Sequence, residues 1–241
     1  MIKYKHILLW SLGMAVVLGL MSFAHNRKKQ VLWQQTQISV AQEQSRPFVT
    51  QQEVRSIIAR HYPLSEGIPL QEINIALLEE SLDNHPSIKK AEVYSLWNGT
   101  LHVAVQQHEP KARVLSAGRS FYLLNDGGTM PLSTNYSAKV PLITGAVPDS
   151  LLGSLSNFWN TVESHAFFAD FFSGITVAQN GDWILHPLPG QHKVLLGQPQ
   201  HLDRKLKKLE IFYQQAVNSK NLDSIKTLNL KFSNQVVCRK N

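Results

Sequence analysis

The feature that most constrains this chain is a run of eighteen residues without a charge, Ile7 to Ala24, reading ILLWSLGMAVVLGLMSFA. As an α-helix it is roughly 27 Å long, close to the ~30 Å hydrocarbon thickness that a single crossing fills. Lys3 and Lys5 precede it, and Arg27, Lys28 and Lys29 follow it. The sequence beyond residue 30 is too polar to lie in a bilayer, so the expected architecture is one anchor carrying a soluble body. A cleaved secretory signal is the alternative, because Ser22-Phe23-Ala24 has the small-x-small form of a cleavage site. The basic triplet that follows at once, with no intervening proline or polar stretch, favours a retained anchor. Basic residues near the run number two before and three after, so charge counting leaves open which side the body faces.

The formal charge of +7 is concentrated at the two ends. Residues 1–30 hold five Lys/Arg and no acids, and residues 200–241 hold nine Lys/Arg against three acids. The intervening stretch is net negative. The first cluster is topogenic and the second is a local basic patch, so the high pI is not a nucleic-acid footprint. The single cysteine, Cys238, cannot close an internal disulfide, and the fold must stand on packing alone.

Local patterns place the elements. A strand is expected around Gln37 to Val40, closed by Arg46-Pro47. Thr50-Gln51-Gln52-Glu53 has the form of a capping box. Val54, Ile57 and Ile58 follow at helical spacing, and Pro63 predicts a stop near Tyr62. A second helix is expected over Pro69 to Asn84, burying Ile73, Leu77, Leu78 and Leu82 and leaving Glu79, Glu80 and Asp83 in solvent. Alternation in Ala91 to Leu96 and in Leu101 to Val105 predicts a hairpin, with Asn98-Gly99 as a two-residue turn. Gln37 to Gln107 therefore reads β-α-α-β-β.

Short strands are expected at Ala112 to Leu115, Phe121 to Leu124 and Pro141 to Thr144, with a turn at Asp126-Gly127-Gly128. Ser150 to Phe172 reads as one helix broken into two, and Phe167, Phe168, Phe171 and Phe172 as core. Ile175 to Gln179 and Trp183 to His186 form a predicted hairpin across Asn180-Gly181, followed by a strand at Lys193 to Leu196. Leu202 to Val217 reads as a helix with Leu206, Leu209, Phe212 and Tyr213 inward. Its other face carries Arg204, Lys205, Lys207 and Lys208, a solvated surface that can also meet lipid headgroups or an acidic partner. Ile225 to Phe232 and Gln235 to Arg239 read as strands about a turn at Ser233-Asn234. A last strand often lies at a sheet edge, where unpaired N–H and C=O groups can template another chain.

No HExxH, CxxC, Walker loop or GxSxG is present among these residues. Glu79 and Glu80 diverge by about 100° on a helix and cannot flank one substrate bond. His186 and His192 flank a Pro-Leu-Pro-Gly loop but lack a third ligand, and read as ordinary surface histidines. A non-enzymatic protein, with no cofactor and no metal, is expected.

The segment from Phe48 to Val114 resembles a POTRA domain and, more narrowly, that of the bacterial cell-division family FtsQ/DivIB. The residues that carry the resemblance are His85-Pro86-x-Ile88 leading into a strand, Gly99-Thr100-Leu101 in the hairpin and Pro110-x-Ala112 after it. Phe121 to Pro131 and Val140 to Gly145 look like the opening of that family's second, β-rich domain. Departures are Ala41-Gln42-Glu43-Gln44 in place of a Gly-Asn, Gln107 in place of an acidic residue, and a tail of about six residues before the anchor.

The resemblance implies an α+β chain: a short cytoplasmic tail (1–6), a transmembrane helix (7–24), a linker (25–34), a POTRA domain (35–110) and a β-domain (111–241). It also implies a scaffold of the division complex at the septum, held in the inner membrane with its bulk in the periplasm. The implied partners are FtsB-like and FtsL-like bitopic proteins, engaged near the C-terminal strands. Carried onto this sequence, the binding residues are Thr227, Leu228, Asn229, Leu230, Lys231 and Phe232, with Val236 and Val237. Addition of a partner strand to an exposed edge there is the expected mode. Two other classes compete. A POTRA-bearing transport or outer-membrane assembly factor would need a membrane β-barrel, for which the sequence after the POTRA unit is too short. A secreted cell-wall enzyme would need a nucleophile or acid–base pair.

Overall fold

A computed structural model of the chain describes residues 10, 12–19, 31–63, 67–219, 224–233 and 235–240. Residues 10 and 12–19 are helical. No helix among the described residues is long and apolar enough to cross a membrane, and half of the expected span 7–24 lies outside them. From residue 31 the chain forms two compact units that meet between Gln107 and His108.

The first unit holds β1 (Gln35–Val40), α1 (Gln51–His61), α2 (Ile75–Asp83), β2 (Ile88–Ser95) and β3 (Thr100–Gln107). Its sheet has the order β1-β3-β2, with β1 parallel and β2 antiparallel to β3. The capping box is formed: the Thr50 hydroxyl accepts from the Glu53 N–H at 3.2 Å, and the Glu53 carboxylate accepts from the Thr50 N–H at 2.9 Å. Tyr62 ends α1, as Pro63 requires. Val54, Ile57 and Ile58 from α1, with Leu78 and Leu82 from α2, pack on Ile38, Ala91, Val93, Leu101, Val103 and Val105.

Two local expectations for this unit are corrected. The second helix starts at Ile75, after a separate 3-10 turn at Leu70–Glu72. The Asn74 side chain accepts from the Leu77 N–H at 3.1 Å and sets the start. With that start Leu77 falls on the outer face, 38% exposed, and is not part of the buried stripe. The β2–β3 connection is a three-residue loop, Trp97-Asn98-Gly99, since Leu96 N–H donates to Thr100 C=O at 2.9 Å. Only Gly99 takes a positive φ, +86°, the left-handed residue of this loop class. A Cβ there would also lie 2.7 Å from the Leu32 carbonyl oxygen, so the position admits glycine alone.

The second unit comprises β4 (Pro110–Ser116), β5 (Arg119–Leu124), β6 (Thr129–Pro131), β7 (Leu142–Gly145), α3 (Leu152–Ser164), β8 (Phe172–Val177), β9 (Trp183–Pro187), β10 (Lys193–Gly197), α4 (Leu202–Ser219), β11 (Ile225–Asn229) and β12 (Val237–Lys240). One nine-stranded sheet runs β12-β11-β10-β9-β8-β7-β4-β5-β6. Leu155, Phe158, Trp159 and Val162 of α3, with Leu206, Leu209 and Tyr213 of α4, share one apolar cluster with the inward residues of the sheet.

The second half of the broken helix expected over Ser150 to Phe172 does not form. His165 ends α3, and residues 166–171 make turns in which Asp170 has φ +57°. Phe167, Phe168, Phe171 and Phe172 pack against one another and, through Phe167 and Phe171, on Tyr213. Phe172 is already the first residue of β8, opposite Pro187, so the chain leaves the helical conformation before it.

Candidate functional site

The C-terminal strands are built from a strict alternation that the core enforces. Leu228 and Leu230 are fully buried, whereas Thr227 and Asn229 between them are half-buried. Strand β11 pairs in parallel with β10, Thr227 against Lys193, Leu228 against Val194 and Asn229 against Leu195. The Leu230 N–H continues this ladder, donating to the Leu195 C=O at 2.9 Å. On its other side β11 pairs antiparallel with β12, Asn229 opposite Val237, Leu228 opposite Cys238 and Thr227 opposite Arg239.

This arrangement relocates the expected edge. Residues Thr227 to Asn229 have strands on both flanks, and Leu228 and Leu230 point into the core, so none of them presents a free main chain. Sequence pattern alone does not reveal this, because an interior strand and an edge strand with one buried face show the same alternation. The open side belongs to β12, which among the described residues pairs with β11 only. All four of its residues, Val237 to Lys240, are exposed. Of the remaining expected residues, Lys231 and Phe232 are exposed and Val236 is half-buried against the core.

Several side chains hold this end of the sheet in place. The Asn229 side chain accepts from the Lys231 N–H at 3.0 Å, which fixes the bend after β11. Lys231 Nζ reaches Asp182 Oδ2 at 2.7 Å, in the β8–β9 turn, and holds that carboxyl below its ordinary range. Lys208 Nζ donates to the Phe232 C=O at 2.6 Å and to the Leu230 C=O at 3.4 Å. Lys205 Nζ does the same for Gln198 and Leu196 at 2.6 and 2.9 Å. Burial, and then the adjacent Arg204, lowers the Lys208 pKa. Two of the four cations expected on a solvated face are therefore spent on carbonyls at strand ends, while Arg204 and Lys207 remain exposed.

The two histidines do not converge. His186 Nε2 lies 2.8 Å from Thr176 Oγ1, whereas His192 is buried with Nε2 2.6 Å from Tyr213 Oη. His192 is thus a core group and not a surface one. Burial lowers its pKa and raises that of Tyr213. No group of three or more His, Cys, Asp or Glu that could hold a metal ion occurs among the described residues.

The first unit treats its own outer strand differently. In β2 the Ala91 N–H donates to Asp83 Oδ1 at 2.6 Å and the Val93 N–H to Glu79 Oε1 at 2.8 Å. These are two of the carboxylates expected to be merely solvated. They satisfy donors that would otherwise face outward.

Comparison with known proteins agrees with this two-unit division. Residues 34–106 match the POTRA-like domain, and residues 109–239 match the family described as FtsQ/DivIB, C-terminal related. The chain is 28% identical over 191 residues to the Cell division protein FtsQ of Rhodothermus marinus, covering 73% of this chain and 69% of that one. It is also 28% identical over 194 residues to the Cell division protein FtsQ of Salinibacter ruber, covering 73% of each. A POTRA-like unit of three strands and two helices, followed by a nine-stranded unit matched almost end to end, places this chain in the FtsQ/DivIB family.

Proposed function

We propose that this chain is a cell division protein that acts as a membrane-anchored, non-enzymatic scaffold. In this reading Ile7 to Ala24 cross the inner membrane once and both units lie in the periplasm at the septum. The observation that carries the partner-binding part is the outer side of β12. It closes a nine-stranded sheet with exposed residues and has no strand beyond it among those described. A segment of an FtsB-like or FtsL-like bitopic protein adds there, its backbone hydrogen bonds supplying affinity and its alternate side chains specificity.

Four residues of edge bury far less than the ~1,200–2,000 Å² of a stable specific interface. The partner therefore also covers the surface beside β12. Lys208 touches the Phe232 carbonyl, so Phe232, 49% exposed, lies next to the α4 face. Arg204, Lys208 and Ile211 share that face at i, i+4 and i+7. An amphipathic partner helix with acidic flanks fits it. Thr227 and Asn229 act in this scheme by holding β12 in register, and Lys231 and Phe232 by direct contact.

Deletion of residues 235–241 from the full-length chain tests the reading. Capture of the FtsB-like partner should be lost while the far-UV circular dichroism and the unfolding of both units persist. Retained capture by a folded deletion variant would exclude β12. A longer truncation, after Asn221, is a poor test, because it also removes Leu228 and Leu230 from the core.

A further inference from the structure

We infer that Trp97 is a lipid-interface anchor, seating the tip of the β2–β3 hairpin in the headgroup layer of the membrane that the chain crosses; this rests on the single-span reading above. Trp97 is 88% exposed, more than any other large apolar residue described. Its loop has no folding need for an indole: Gly99 supplies the left-handed position, and the turn is closed by Gly99 N–H to Leu96 C=O at 3.2 Å. Thr100 N–H to Asn98 Oδ1 at 3.1 Å stiffens it further. The indole is therefore held out on a rigid tip, where exposure to water alone would waste its apolar surface.

The position of that tip identifies what covers it. The Gln34 N–H donates to the Gly99 C=O at 2.8 Å, and Leu32, 45% exposed, lies against Gly99. The hairpin tip is thus bonded to the very segment by which the chain enters the first unit. Nine residues lie between Ala24 and Gln34, and fully extended they bridge at most about 36 Å. They include Arg27, Lys28 and Lys29, which suit an anionic headgroup layer. The tip consequently shares, with the segment 67–70 that pairs with residues 31–33, the end of the first unit tethered most closely to the bilayer. Tyr94, 49% exposed and stacked on His102 at 5.1 Å, stands three residues before Trp97. Tryptophan and tyrosine prefer this depth, with an apolar ring body and a polar N–H or O–H at its edge. A second protein docking on the tip is the competing occupant. Nothing beside it but lipid is guaranteed by the tether.

The test uses the full chain carrying Trp10→Phe, which removes the indole of the span, reconstituted in phosphatidylethanolamine–phosphatidylglycerol vesicles. Lipids brominated near the headgroup should quench part of the emission, and Trp97→Ser should remove that quenched component and its shielding from aqueous acrylamide. A Trp97 component quenched by acrylamide and untouched by brominated lipid overturns the inference. So does shielding that appears only in native membranes and not in pure lipid, which would assign the residue to a protein partner. Extraction of the chain by alkaline carbonate would instead remove the single-span reading, and this inference with it.

Discussion

Strands β2 and β12 each end a sheet, yet they meet solvent in opposite ways. The outward amides of Ala91 and Val93 in β2 are taken by Asp83 and Glu79 from the helix just before it. Strand β12 has no such cover among the described residues, and its neighbours Lys208 and Asn229 act on the bend behind it. A sheet edge left open risks indiscriminate pairing, and charged side chains directed onto it are one of the ways proteins prevent this. Of these two edges, one is closed by the chain's own helix and the other is left available among the described residues. The contrast supports the proposal that β12, rather than β2, is the strand to which a partner adds.

The comparison can be broken most severely behind β12. Leu228→Ala removes a fully buried side chain and should cost about 2–5 kcal/mol in the second unit, measured by urea unfolding of the full chain. An unchanged midpoint would mean that β11 is not the internal strand that supports β12. At β2, replacing Glu79 and Asp83 together by Ala should cost about 1–3 kcal/mol for each lost bond. It should also add concentration-dependent self-association in sedimentation. A double variant that stays monomeric would show that the two carboxylates do not guard that edge.

Smaller effects sharpen the picture. Lys208→Met leaves the Phe232 and Leu230 carbonyls without their cation and should cost about 1 kcal/mol, with a measurable loss of partner capture. Acidification should act on the second unit more than on the first. His192 and His186 have pKa values lowered by burial from 6.5, with Lys193 adding to the shift at His186. Below that pH the unfolded chain binds protons that the folded imidazoles refuse, so stability is full above it and falls as the pH drops through it. His85 in the first unit is lowered for the same main reason, but it is one such histidine against two in the second unit. Amide exchange, corrected for intrinsic rates, should show protection falling further in β9, β10 and α4 than in β2 and β3. The smallest stability change belongs to Val237→Ser, within about 0.5 kcal/mol. Partner affinity should nevertheless fall, which separates an edge residue from a core one.

What could be read in advance follows the range of the interactions involved. The capping box at Thr50, the stop before Pro63 and the alternation of β2 and β3 depend on residues a few positions apart. Each was legible as pattern. The start of α2 was less so, because both Pro69 and Asn74 are competent near a helix N-terminus and only the side-chain bond from Asn74 decides between them. Strand β6 is three residues long and too short to carry a period. The Phe167 to Phe172 segment has enough apolar residues for a helix, but its last residue belongs to β8, whose pairing with Pro187 depends on residues far along the chain.

The sequence by itself determined the apolar run, the β-α-α-β-β order of the first unit and the β-rich second unit, all consequences of periodicity and turn chemistry. Only the tertiary structure decided that β11 is flanked on both sides and that the open edge is β12. It also decided that Asp83 and Glu79 close β2, and that Lys205 and Lys208 bond carbonyls in place of solvent. The reason is physical: a strand's neighbours are set by main-chain pairing between residues far apart in the chain, and every main chain carries the same N–H and C=O groups whatever its side chains.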